Sequence, residues 1–206
     1  ITTNSTTLSA DLVSTEANDV LADAVVSGIV GGNSDRFLAN GFIGDNTNLS
    51  EASNDVDLIQ VALVAGERIT VDIDTPNGSS LDSYLRIFDE FGFPLTQFVS
   101  DDDSAPGEVV SFDSFLTFTA PTSGIYYIGV SSFDNEDYDP FVEGNANSVG
   151  SSTGAYSIEI LRPDLIGSVG IQVHDAYGDA NHFRDQGQLI INANRISNSG
   201  EFAIEI

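Results

Sequence analysis

From about Phe42 onward, apolar and polar residues alternate with the period of a half-buried strand. In "LIQVAL", Ile59, Val61 and Leu63 fall on one face. After the turn "VAGE", "RITVDID" sets Ile69, Val71 and Ile73 inward, with Thr70 and Asp72 outward. "SYLRIFDE" alternates Leu85 and Ile87 against Tyr84, Arg86 and Phe88, "EFGFP" turns, and "LTQFV" continues the meander. "SFLTFTAP" repeats the alternation with Leu116 and Phe118, and "IYYIGVSSF" with Tyr126, Ile128 and Val130. A long polar insertion, "DNEDYDPFVEGNANSVGSSTG", then leads to a last strand, "AYSIEIL". Short, closely spaced strands without helical periodicity between them predict an all-β chain: an antiparallel β-sandwich, jelly-roll-like.

The two ends read differently. Residues 1–11, polar and rich in Thr and Ser, are expected to be a flexible leader, with no signal-peptide pattern. "STEANDVLADAVV" (14–26) reads as a short turn or helix entering an edge strand. "LRPDL" marks a boundary at Pro163. Beyond it, "GQLIINANRISNSGEFAIEI" resembles a rung and a half of a parallel β-helix, or equally a hairpin packed on the sandwich. One rung cannot bury its own faces, so 163–206 is expected to be a β-helix-like or strand-addition segment. The sandwich itself is assigned to 12–162. "VLADAVVSGIVGG" is too short and too interrupted to span a bilayer as a helix.

Charge narrows the function classes. Asp and Glu number 32 against 6 Lys and Arg, for a net charge of -26. Every basic residue is Arg, and no basic stripe interrupts the field. Such a chain repels nucleic acid and anionic membranes and attracts cations. Life in brine, where salt screens self-repulsion, also accounts for the composition. With no Cys there is no disulfide framework and no thiolate metal site.

The acids cluster where strands begin. In "EASNDVDLIQVAL", Asn54, Asp55 and Asp57 crowd the entry to a strand, although Asp and Asn are depleted in strands. Asp55 and Asp57 are two apart, so in extended chain both point to one face and can share one ion. Calcium takes six to eight hard oxygens from carboxylates, amides and backbone, which is the chemistry these clusters offer. "DNEDYDPFVEGN" lacks the Gly and the closing Glu of an EF-hand loop. Any site is therefore expected to be assembled from distant segments.

The ordered run "NDVDLIQVALVAGERITVDID", "LDSYLRIFDEFGFPL", "DDDS", "DSFLTFTAPTSGIYYIGVSSF" and "STGAYSIEI" resembles the bacterial pre-peptidase C-terminal domain family, over about residues 12 to 162. The resemblance implies a secreted β-sandwich module attached to proteases or other exported proteins, with collagen-binding modules among its relatives. It also implies calcium ligands. "TEANDV" matches the family's N-terminal ligand segment, implying Glu16, Asn18 and Asp19; "SNDVD" implies Asp57 with Asn54 or Asp55. Ser14 stands where relatives can have a further Glu. A second candidate set comprises Asp82, Asp101, Asp102, Asp103 and Asp113, which flank strands the family pattern places together, with Asp134, Asp137 and Asp139 of the insertion.

Catalysis is not expected. His174 and His182 match no zinc-helix motif, and no G-x-S-x-G elbow is present. The expected role is a non-catalytic, calcium-stabilised module at the cell surface or outside the cell, structural or adhesive, self-assembling through its terminal strands into a homo-oligomer or filament. The competing readings are an accessory module that binds a polysaccharide or fibrous protein, with Tyr126, Tyr127, Tyr138 and Phe141 as an aromatic platform, and a fragment of a β-helix polysaccharide-active enzyme.

Overall fold

A computed structural model describes residues 6–12, 17–31, 35–95, 100–101, 103, 111–145 and 148–162. The strands in it are β1 (Thr6–Asp11), β2 (Val25–Val26), β3 (Asp35–Ile43), β4 (Val56–Leu63) and β5 (Arg68–Asp74), followed by β6 (Ser83–Asp89), β7 (Ser100–Asp101), β8 (Phe115–Thr119), β9 (Gly124–Ser132) and β10 (Gly154–Leu161). They form two five-stranded sheets, ordered β1-β3-β10-β5-β8 and β2-β4-β9-β6-β7. The all-β sandwich expected from the alternation is the fold.

Both sheets are antiparallel except at one edge each, where β1 lies parallel to β3 and β2 parallel to β4. The cause is the path of the chain. Its first four strands alternate between the sheets, so each sheet receives every second strand running the same way. Residues 6–11, expected within a flexible leader, are instead strand β1. In "TTLSADL" the residues Leu8, Ala10 and Leu12 recur at the strand period of two; the first two pack against the core and Leu12 is fully buried. The segment 163–206, with both histidines and Arg184 and Arg195, lies outside the described residues.

Between the sheets sit the side chains that the alternation points inward, among them Ile59, Val61, Ile69, Val71, Ile73, Leu85, Ile87, Leu116, Phe118, Ile128 and Val130. Each fully buried aliphatic side chain stabilises the fold by about 1.5–3 kcal/mol. A second apolar cluster covers the outer face of the other sheet, where Leu21, Val56, Leu58, Phe88 and Tyr138 meet. Tyr138 comes from the polar insertion after β9, so that insertion folds back on the sandwich. The buried Arg86 guanidinium pins it, 4.7 Å from the Phe88 ring centroid and 4.6 Å from that of Tyr138. Arg86 also donates to the Tyr138 carbonyl at 3.0 Å.

The last strand ends on a buried ion pair. Arg162, 1% exposed, reaches Glu67 Oε2 at 3.0 Å and donates to the Val30 carbonyl at 2.7 Å. Among the described residues no helix is long and apolar enough to cross a membrane.

Candidate metal centre

β4 is entered through one 3-10 turn, Ala52–Asn54, after which the backbone of Asp55 returns to an extended conformation. Asp57 alternates with Ile59 and Val61, so its carboxylate faces the space between the sheets. Asp55 and Asp57 are both fully buried. Residues 18–29 run beside β4, where the Leu58 N–H donates to the Asn18 carbonyl and the Ala62 N–H to that of Ile29, both at 3.1 Å. Ala17 takes a left-handed φ of 80° just before this edge, a conformation that costs an L-residue about 1–2 kcal/mol. Asn18 and Asp19 follow, both buried.

These residues form one largely buried polar network at the entry to β4. Asp57 Oδ1 accepts from Asn18 Nδ2 at 2.6 Å, and its Oδ2 from the Tyr156 hydroxyl at 2.5 Å. The second bond ties the two sheets together, because Tyr156 stands on β10. Gly41, paired with Tyr156 across β3 and β10, admits the ring, since a Cβ there would overlap it. Asp19 accepts from the Val56 N–H at 3.2 Å and from Asn46 Nδ2 at 2.6 Å. Asn46 Nδ2 also donates to Glu143 Oε1 at 2.9 Å. Asp55 Oδ2 accepts from the N–H groups of Gly44 at 2.6 Å and Asp45 at 3.2 Å.

Burial makes the charges unfavourable. Desolvation raises the Asp57 carboxyl to about 7, against donation from Tyr156 and with help from the neighbouring Asp55 charge. Asp19 is likewise raised to about 7, first by burial and then by the Asp55 charge. Asp55 is raised chiefly by burial, opposed by the Gly44 N–H. The Tyr156 hydroxyl is held far above its ordinary value by burial and by the Asp57 charge. Three buried oxygens in the same segments meet no donor: Asn18 Oδ1, Asn54 Oδ1 and Asp55 Oδ1. A carboxylate and two amide carbonyls are hard oxygen donors of the kind calcium takes. In chemistry the set fits that ion.

In arrangement, Asp19, Asp55 and Asp57 each accept hydrogen bonds from neighbouring groups. No group of three His, Cys, Asp or Glu side chains converges in metal-binding geometry among the described residues. Of the first expected set, Asn18, Asp19, Asn54, Asp55 and Asp57 lie on adjoining segments, and Glu16 is outside the described residues. The second set is dispersed into local roles. Asp113 Oδ1 accepts from the Thr75 hydroxyl at 2.7 Å, and Asp139 Oδ1 from the Phe141 N–H at 3.0 Å. Asp82 bonds through its backbone to Phe133 and Ser152, Asp101 pairs through its backbone with Leu85, Asp103, Asp134 and Asp137 are exposed, and Asp102 is outside the described residues.

Asn46, Glu143, Tyr156 and the Gly44–Asp45 backbone were not foreseen as part of the network. The "TG-x-Y" strand end was visible in the sequence, but its contact with Asp57 spans 99 residues. Nor do the four aromatics form a platform. Tyr126 and Tyr138 are buried and Tyr127 is partly buried, which leaves Phe141 as the exposed member.

The family model described as "Bacterial pre-peptidase C-terminal domain" matches residues 55–132, within the span that carries the resemblance. No curated protein sequence matches the chain. Among solved structures, the pre-peptidase C-terminal domain of collagenase from Bacillus anthracis is similar at 11% identity and TM-score 0.37, covering 76% of this chain and 95% of that one. PliG of Aeromonas hydrophila, a periplasmic inhibitor of g-type lysozyme, gives 14% identity and TM-score 0.35 over 67% of this chain and 97% of its own. CorA of Methylomicrobium album BG8, a surface-associated copper-binding protein, gives 13% and 0.38 over 68% and 100%.

Proposed function

We propose that this pre-peptidase C-terminal-type β-sandwich is a non-catalytic, calcium-stabilised module that works outside the cell as an accessory or structural part of a larger secreted assembly. The observation that carries the reading is the buried cluster of Asp19, Asp55 and Asp57, with donor-free oxygens on Asn18, Asn54 and Asp55. Asn18, Asp19, Asn54, Asp55 and Asp57 would hold the ion, joined by Glu16 of the preceding segment. Bound calcium supplies positive charge to carboxylates that burial otherwise disfavours. The residues themselves clamp the 17–19 turn and the 44–46 loop onto the start of β4, and so fix how the N-terminal edge lies on the sandwich.

Extracellular calcium modules bind at about 10⁻⁴–10⁻³ M. At a free calcium concentration of about 100 Kd the native state gains ~2.7 kcal/mol. Calcium is expected to raise the Tm, and a chelator to lower it and to speed proteolysis within residues 10–35. Identical Tm and cleavage with and without chelator would refute the calcium reading.

Assembly by strand addition is the second reading, favoured by the position of β1. Among the described residues it ends its sheet, paired with β3, and such an edge is a template for another strand. Sedimentation in calcium at rising concentration should show growing species. A constant monomer would exclude assembly and leave the calcium reading intact.

A further inference from the structure

We propose that the exposed phenylalanines at the β6–β7 turn form, with the insertion after β9, a docking surface for a cationic polypeptide segment that carries apolar side chains. Phe91 is 64% exposed, Phe93 67% and Phe141 60%, which is unusual for three large aromatics in one neighbourhood. They are held together by Gly92. It lies between Phe91 and Phe93 in sequence at φ +76°, and a Cβ there would overlap the Phe141 ring.

The support beneath is rigid. Asp89 Oδ1 accepts from the N–H groups of both Phe91 and Phe93 at 2.9 Å, closing the turn. Asp139 Oδ1 fixes Phe141 by its N–H at 3.0 Å. The Leu21 N–H donates to the Pro140 carbonyl at 2.9 Å, which anchors the insertion to the 18–29 edge. Arg86, the nearest base in sequence, is buried below between Phe88 and Tyr138 and neutralises nothing at the surface.

What remains outside is an apolar centre with Asp89, Glu90 and Asp139 around it. Charge complementarity selects the occupant. A second copy carries a net charge of -26, and the chain's own residues 163–206 hold more carboxylates than arginines. Neither offers this patch a cationic segment, and anionic lipid and nucleic acid are repelled. An Arg-rich segment gains from the carboxylates and from cation–π contact with the rings, while its aliphatic residues cover the phenylalanines.

The test is fluorescence anisotropy of the full chain, in calcium throughout, with a labelled peptide of alternating Arg and Leu. The comparison probes are an Arg/Ser peptide of equal charge, a Glu/Leu peptide, and vesicles of anionic or zwitterionic lipid. Wild type should bind Arg/Leu at least about tenfold more tightly than Arg/Ser, because an aromatic anchor carries more energy than rim charge. The exchanges Phe91→Ser with Phe93→Ser, and separately Phe141→Ser, should each weaken Arg/Leu binding by roughly tenfold while leaving Tm unchanged. Equal affinity for the two cationic peptides, unaltered binding by both sets of variants, or preferential binding of vesicles or the acidic peptide would overturn the proposal. None of these outcomes depends on where calcium sits.

Discussion

Without calcium and near pH 8, Asp57→Asn is expected to be more stable than wild type, by up to about 4 kcal/mol. Unfolded, Asp57 ionises at the ordinary carboxylate value; folded, burial raises it to about 7. Between those values the folded chain holds a proton that the unfolded chain has lost. Metal-free stability therefore falls as pH rises through that window and levels off above it. An amide in the same place is never ionised. It can still accept from Asn18 and meet the Tyr156 hydroxyl, which now bond to Asp57 at 2.6 and 2.5 Å. Calcium should narrow that gap, by ~2.7 kcal/mol at about 100 Kd, because the wild type gains the ion's binding energy and the variant loses a ligand. Urea unfolding at both calcium conditions checks this. A variant weaker than wild type in both would mean that the Asp57 charge is already well accommodated by the protein alone.

Glu67→Ala is expected to cost about 3–5 kcal/mol, the range for leaving one member of a buried ion pair uncompensated. Arg162 is 1% exposed and Glu67 5%, with 3.0 Å between them. The guanidinium also holds the carbonyls of Val30 and Ala62, at 2.7 and 3.4 Å, so it gathers the 30–31 edge, the end of β4 and the end of β10. Glu67→Leu combined with Arg162→Met should recover most of the loss, since a well-packed apolar pair is often as stable as the ions it replaces. The urea midpoint of the single and double variants measures both. A loss below about 1 kcal/mol for the single variant would place the pair in effective contact with water.

Most strands were legible because apolar residues recur at every second position, most cleanly in β5, β8 and β10. By contrast, β4, β6 and β9 bury parts of both faces, and β3 was not foreseen. Ile69, Val71 and Ile73, or Leu116 and Phe118, could not sit on one face of anything but a strand. β1 was less legible, for Thr6–Asp11 offers only Leu8 and Ala10 as apolar residues and its partner, β3, begins 24 residues after it ends. The parallel edges depend on which sheet each strand joins, which local pattern does not encode. Asp55 and Asp57 stood out because carboxylates are rare at a strand entry. Their neighbours did not, since Asn46, Glu143 and Tyr156 are ordinary residues whose meaning comes from long-range packing. Phe91 and Phe93 looked like turn residues, and only the fold brings Phe141 to Gly92.

Calorimetric titration of calcium into the chain at about pH 7, in two buffers of different ionisation enthalpy, tests the centre most directly. With Asp19 and Asp57 both raised to about 7, ion binding must expel protons, so the two buffers should give different heats at one common affinity. Asp57→Asn should abolish the binding. Absence of binding heat, or the same heat in both buffers, would contradict a calcium ion seated among these buried carboxylates.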